Sequence, residues 1–182
     1  MIISFTGAQS TGKSTLLDRI KLNERFRKFN VVPEITRTLK SKYNLKINED
    51  GNDITQLAIL NGHLDNFLKY KNKDVILDRC ILDGLIYTCY LYNTKKVSGE
   101  VASYAEFLTK KLIDHVDVLF YTEPDIPLKD DGERSSNEEF RNIVIQLFEE
   151  AINHFDLNVI RLKGTVEERL DIIYNNFDNY GK

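Results

Sequence analysis

The chain has 182 residues, 42% of them hydrophobic and 29% charged, with a formal net charge of −3. Such a length and composition describe one domain, residues 1–182, with enough apolar material for a proper core. The slightly acidic balance argues against broad electrostatic binding to nucleic acid or to a membrane surface, though not against a local basic groove.

Ile2-Ile3-Ser4-Phe5-Thr6 opens the chain as a short apolar strand. It follows no basic segment and is far too short for a signal peptide or a membrane span. Gly7-Ala8-Gln9-Ser10-Thr11-Gly12-Lys13-Ser14 comes next, with Thr15 behind it, and Leu16 to Phe26 reads as a helix with Leu16, Leu17, Ile20 and Leu22 on its apolar face. G-x-x-x-x-G-K-S between a strand and a helix is a phosphate-binding loop in its required context. The glycines permit a tight turn and a close approach to an anion. Successive N–H groups then form an anion nest, and the following helix adds its positive end. Lys13 is placed for the β- and γ-phosphates and the Ser14 hydroxyl for Mg²⁺. Gly7 to Thr15 is therefore the predicted nucleotide-binding segment.

Val31-Val32 is a very short second strand, followed by Pro33 and a helix starting at Glu34. Residues 44–53 read as a loop. Asp53 and Gln56 have the spacing of a capping box, and Leu57, Leu60, Leu64, Phe67 and Leu68 then recur at helical spacing to about Tyr70. Val75-Ile76-Leu77-Asp78 suits a buried parallel strand. Leu82 to Tyr92 is a mostly buried, tyrosine-rich helix, facing either core or a partner copy. Val101, Tyr104, Leu108 and Leu112 mark another. Val116 to Tyr121 is the fourth strand. Residues 122–137 form a charged loop with Pro124 and Pro127, and a long amphipathic helix runs from Phe140 to Phe155. Asn158 to Leu162 is the last strand, and Thr165 with Glu168 caps a final helix.

Five strands alternating with helices imply an α/β fold, a parallel sheet covered on both faces. Ligands bind such sheets beyond the carboxyl ends of the strands. The charged residues there are Glu34 with Arg37 one turn later, Asp78-Arg79 with Asp83 and Tyr87 at helical spacing, and Glu123 leading into the loop with Arg134. Asp78 has the placement of an acid that holds Mg²⁺, or of a simple helix cap. Arg79 suits stabilisation of the transferring phosphoryl group or an acceptor phosphate. Glu34 can serve as general base for an acceptor hydroxyl, or only complement a helix dipole. Arg37 suits an anionic acceptor. The 124–137 loop reads as a lid carrying Arg134, backed by Lys129 and Arg141, or as a solvated charged loop. Cys80 and Cys89 lie in apolar surroundings without a C-x-x-C pattern, which suits reduced core thiols of a cytoplasmic protein. His63, His115 and His154 show no ligand spacing.

These residues resemble a known group. Gly7–Ser14, Glu34-x-x-Arg37, Asp78-Arg79 with Asp83 and Tyr87, and Asp130-Asp131-Gly132-Glu133-Arg134 before the long helix are similar to the small P-loop kinases and ATPases, AAA-domain-like, related to the ribosylnicotinamide kinase domain of the bacterial NAD-biosynthesis regulator. The resemblance implies a three-layer α-β-α P-loop fold of kinase type, with the five-stranded parallel sheet in the order 2-3-1-4-5. It implies ATP, Mg²⁺ and a nucleoside- or nucleotide-like acceptor. Likeness to deoxynucleoside kinases makes Glu34 the base and Asp78-Arg79 the acid–arginine pair. The catalytic set is then Lys13, Glu34, Asp78, Arg79 and Arg134. Ser14 and Asp78 are the metal ligands, and Glu34, Arg37, Asp83 and Tyr87 line the acceptor side. Tyr43, Phe67, Tyr87 and Tyr90 are the aromatics available to hold a ring, though most of them read as core. Nothing preceding the first strand corresponds to the regulator's nucleotidyltransferase part, so its other activities are not expected.

The leading expectation is ATP- and Mg-dependent phosphoryl transfer to a hydroxyl of a nucleoside-like small molecule. A nucleotide or nucleic-acid kinase is the alternative, using Arg37, Arg79 and a strip of Lys40, Lys42, Lys46 and Lys69 to Lys73. A nucleotide-binding switch without a metabolic acceptor is the third. Adenine is favoured over guanine because no Asn/Thr-Lys-x-Asp motif is visible. Oligomeric state is not set by the sequence, a dimer being one arrangement.

Overall fold

The computed structural model describes residues 1–127 and 137–180. The strands are β1 (Ile2–Thr6), β2 (Asn30–Val32), β3 (Val75–Asp78), β4 (Val118–Thr122) and β5 (Val159–Leu162). They form one parallel sheet in the order β2-β3-β1-β4-β5, as expected. The helices are α1 (Lys13–Lys21), α2 (Ile35–Tyr43), α3 (Asp53–Tyr70), α4 (Ile81–Asn93), α5 (Gly99–Leu112), α6 (Glu138–His154) and α7 (Val166–Tyr180).

The strand period of two decides which side chain meets which layer. Ile3 and Phe5 of β1, with Val118 and Phe120 of β4, point to the layer of α1 and α7, where they meet Leu16, Leu17, Ile20, Leu170 and Ile173. Phe5 and Phe120 stack there with ring centroids 5.0 Å apart. Leu119 and Tyr121 point the other way, into the larger core made with α3 to α6. The sheet is thus covered on both faces, which gives the three-layer α-β-α architecture. β1 and its neighbour β4 send their connections to opposite sides at their carboxyl ends, β1 toward β2 and β4 toward β5. A crevice opens at that point in such sheets.

Several local expectations shift, each for a visible reason. The first helix ends at Lys21 rather than reaching Phe26. The Asn23 side chain accepts the Arg25 N–H and starts a short 3-10 turn, which tucks Phe26 against Phe177 at 4.4 Å. Leu22 is left 84% exposed and is no part of the apolar face. Asn52, not Asp53, caps α3, accepting from the Thr55 N–H at 3.1 Å. Asp53 instead accepts the Ser98 N–H at 2.7 Å, and Gln56 is freed from the capping box to point inward. The fourth strand begins at Val118 because Asp117 turns to accept the Ile2 N–H at 2.6 Å. The Thr165–Glu168 box forms as expected, with each backbone N–H bonded to the other's side chain at 2.7 and 3.3 Å.

Candidate active site

β1 delivers Gly7 at φ +131°, and the loop continues through Ser10 and Gly12 in left-handed conformations into α1. A Cβ at Gly7 would lie 2.7 Å from the Thr122 hydroxyl, so the close packing of the loop against β4 requires glycine there. Lys13 is buried at the first position of α1 and folds back over the loop. Its ammonium donates to Gly7 O at 2.8 Å, Ala8 O at 2.6 Å and the Thr11 hydroxyl at 3.1 Å. These are neutral acceptors, so burial dominates and, with the nearby Arg79, pushes the amine down to about 7. Two further polar groups on the loop, Ser10 Oγ and Gln9 Nε2, are buried with no hydrogen-bond partner. A buried donor without an acceptor is costly. A loop with a buried cation and orphaned polar atoms fits an anion bound in its concavity.

On the other side of the crevice, Arg79 follows β3 and is the centre of an ion network. Its Nε donates to Glu34 at 2.8 Å, and its Nη1 donates to Asp83 at 2.7 Å and to Gly7 O at 3.2 Å. Arg79 is 8% exposed and sits at φ +75°, a conformation that costs a non-glycine residue about 1–3 kcal/mol. Burial opposes the charge on Arg79, but Glu34, Tyr87, Asp83 and Asp78 together hold it well above its ordinary value. Glu34 also meets Arg37 at 3.1 Å. Asp83 is occupied on both oxygens, accepting from Arg79, from the Thr6 hydroxyl at 2.8 Å and from the Cys80 N–H at 3.1 Å. It therefore orients Arg79 and caps α4. Asp78 lies at the end of β3, half-buried. Burial raises its carboxyl against the pull of Arg79 and Lys13, while Glu34 and Asp83 add to the rise. Ser14 stands in the first turn of α1 with Thr15, which is exposed.

The structure thus brings Lys13, Ser14, Glu34, Asp78, Arg79, Asp83 and Tyr87 to one rim. A cavity between α2, α3 and α4 is lined by Glu34, Arg79, Asp83 and Tyr87. Tyr87 spans the two sides, its hydroxyl donating to Gln9 Oε1 at 3.2 Å. Arg37 is half-exposed and does not line this cavity. Arg134, Lys129 and Asp130 to Glu133 lie outside the described residues.

Other expectations are corrected or narrowed. Glu123 does not face the rim, for Arg161 of β5 binds it at 2.8 Å and ties it to Glu149 at 2.7 Å. Tyr43 is exposed, Phe67 packs on His115 at 4.8 Å and Tyr90 on Phe140 at 4.5 Å, which leaves Tyr87 as the aromatic of the cavity. Lys71 and Lys73 precede β3, so they stand at the amino end of the sheet, away from the rim. Cys80 and Cys89 are free thiols in apolar surroundings, as expected, and burial pushes them up to about 12 and about 11.

Sequence reasoning missed Thr36, Asn48, Gln56 and His63 in the cavity wall, and Arg169 altogether. Arg169 is 1% exposed in the first turn of α7. Its guanidinium donates to Thr11 O of the phosphate loop at 2.6 Å, to Gly164 O at 3.0 Å and to Glu123 O at 3.2 Å, and pairs with Asp125. It clamps the phosphate loop, the segment after β4 and the β5–α7 turn together. A cation in the first turn of a helix opposes the dipole, and that was the available signal.

Three further findings bear on the site. A family model described as an AAA domain matches residues 2–169. No curated protein matches the chain. Among solved structures, a deoxyadenosine kinase from M. mycoides with dCMP and dCDP bound is 19% identical, with a TM-score of 0.73 over 99% of this chain and 100% of that one. The NadR protein in complex with NAD and AMP-PNP is 18% identical, with a TM-score of 0.71 over 97% of this chain and 49% of that one. At these identities the likeness establishes the fold, that of P-loop kinases, and this chain spans about half of the NadR chain.

Proposed function

Since the chain belongs to the AAA-domain family matched over residues 2–169, we propose that it is a P-loop kinase that transfers the γ-phosphoryl group of ATP to a hydroxyl of a nucleoside-like small molecule. One observation carries this reading. Gly7 O accepts from both Lys13 and Arg79, so the cradle for the donor phosphates and the cavity holding Glu34 share a wall. An acceptor in that cavity stands beside the phosphate that it would receive.

The roles follow from the charges. Lys13 and the loop N–H groups bind the β- and γ-phosphates, and Lys13 regains its proton as they approach. Glu34 takes the proton of the acceptor hydroxyl as the oxygen–phosphorus bond forms and the bond to the β-phosphate oxygen breaks, leaving ADP. Arg79, held by Glu34 and Asp83, meets the charge on the transferring group. Ser14 and Asp78 fit Mg²⁺, which takes few protein ligands and completes its shell with phosphates and water. The described residues contain no closed cluster of three acids, histidines or cysteines, so an all-protein cage is not what they offer. When bound, the ion would neutralise phosphate charge.

The NadR structures hold NAD with AMP-PNP, and NR, and the M. mycoides kinase holds deoxynucleotides, which supports a nucleoside-like acceptor here. The position of Lys71 and Lys73 far from the rim favours a small molecule over a nucleic acid. No helix among the described residues is long and apolar enough to cross a membrane. With free thiols and ATP as donor, the cytoplasm is the proposed compartment, and the whole chain the proposed working domain. Purified protein with Mg-ATP should phosphorylate a member of a nucleoside and nucleotide panel. Absence of turnover across that panel would sink the reading.

A further inference from the structure

Gly62 stands in the middle of α3, a helix of 18 residues. Glycine is a poor choice there, because it has the most backbone freedom to lose. The backbone at Gly62 is ordinary right-handed helix, so no turn calls for it. What calls for it is Ile35, the first residue of α2. A Cβ on Gly62 would lie 2.7 Å from Ile35 Cγ2, closer than side chains come. Cγ2 is a branch methyl one bond from Cβ, and a β-branched side chain in a helix keeps one χ1 rotamer. It cannot swing aside, so α2 itself would have to withdraw.

α2 is nine residues long, and none of them is fully buried. It packs on α3, with Ile35 seated in the notch at Gly62. Glu34, directly before Ile35, is the N-cap of α2, and its carboxylate reaches Arg79 Nε at 2.8 Å in the acceptor cavity. One peptide link therefore separates the seat of α2 from the group that would take the acceptor's proton. The carboxylate is also paired with Arg37 of α2 at 3.1 Å, so it travels with that helix. Arg79 cannot follow, being bonded to Asp83 at 2.7 Å and to Gly7 O at 3.2 Å.

We propose that Gly62 is a positioning residue for the reaction: having no side chain, it lets Ile35 seat α2 deeply enough for Glu34 to meet Arg79 over the acceptor. This rests on the reading of Glu34 as the base. Relief to ordinary contact takes the separation at the notch from 2.7 Å to 3.4 Å or more. A misplacement approaching an ångström at a reacting group costs on the order of 10–100-fold in rate.

The test compares the wild type, Gly62→Ala, and Gly62→Ala combined with Ile35→Leu. Leucine keeps the apolar volume of isoleucine and lacks the Cγ2 methyl. Measured for each are kcat with Mg-ATP, calorimetric affinity for AMP-PNP, the urea midpoint and a crystal structure. Gly62→Ala should lower kcat about 10–100-fold and leave AMP-PNP affinity within about twofold, as the phosphate loop keeps its partners. Its urea midpoint should hold or rise, because alanine is the better helix former. Adding Ile35→Leu should bring kcat back to within about threefold of the wild type. In the crystal, Glu34 should lie beyond hydrogen-bond distance of Arg79 in the single variant and return to it in the double. An unchanged kcat, a loss that Ile35→Leu does not relieve, a fallen urea midpoint, or an undisplaced Glu34 in Gly62→Ala overturns the inference. A wild type that turns over no acceptor overturns the kinase reading, and Glu34 displaced by Gly62→Ala and restored by Ile35→Leu upholds this one even then.

Discussion

Around Lys13 the partners are carbonyls and a hydroxyl; around Arg79 they are two carboxylates, with the Gly7 carbonyl besides. Both cations are buried, yet the chain treats them in opposite ways. Arg79 is neutralised internally by Glu34 and Asp83, so its network is complete before any ligand arrives. Lys13 is buried without a directly bonded carboxylate, and it gives up part of its hold on its proton. The acceptor side is preorganised, and the donor side waits for an anion. Preorganised charge is effective for stabilising a transition state, because nothing need rearrange during reaction. A desolvated lysine, by contrast, gains most from the phosphate itself.

That contrast can be broken or sharpened at graded cost. Lys13→Ala should lower kcat/KM about a thousandfold while leaving the melting temperature within a few degrees, since it removes a desolvated group with no directly bonded carboxylate. Arg79→Ala should do the reverse in stability. Leaving Glu34 and Asp83 buried without their partner should cost about 3–5 kcal/mol in urea unfolding, in addition to lost turnover. Equal effects of the two substitutions on stability would refute the distinction.

pH offers a gentler probe. Phosphate binding restores the Lys13 proton, so above pH 7 ATP affinity should fall by roughly tenfold per pH unit, and calorimetry at pH 8 should record uptake of about one proton. Proton release at that pH would contradict the assignment. In the absence of ligand the sign is opposite. The unfolded chain holds the Lys13 proton up to about 10.5 and the folded chain only to about 7, so this residue's contribution to stability grows as pH rises between those values. Arg169→Lys keeps the charge but loses the fork that reaches Thr11, Gly164 and Glu123. It should raise the ATP KM about tenfold with little change in the acceptor KM, and equal change in both would show a merely structural residue. The smallest effect lies away from both sides: Thr165→Ala removes one half of the α7 capping box and should cost about 1 kcal/mol in thermal unfolding with KM values unmoved.

Backbone-built features were legible in the sequence and side-chain-built ones mostly were not. Gly7, Gly12 and Lys13 stand at fixed spacing because one contiguous turn makes the cradle, and strand alternation gave the sheet. The Glu34–Arg79 pair joins residues 45 apart, and only the position of each after a strand suggested a common rim. Gln56 was misread for a capping residue because a local pattern fitted, while the actual cap, Asn52, stood one residue before the proposed one. Glu123 obeyed the strand-end rule in sequence and was drawn aside by Arg161, a partner supplied by the neighbouring strand. Arg169 carries no motif, since its partners are carbonyls and any residue supplies those.

The left-handed backbone at Arg79 has an evolutionary consequence. At φ +75° the chain itself favours glycine or asparagine, so arginine persists there only under selection for its guanidinium. A member of the family relieved of catalysis would gain stability by drifting to glycine at this site only once Glu34 and Asp83 had been replaced by neutral residues as well. The residues found at the positions of Glu34, Arg79 and Asp83, taken together, should therefore sort working enzymes from retired copies.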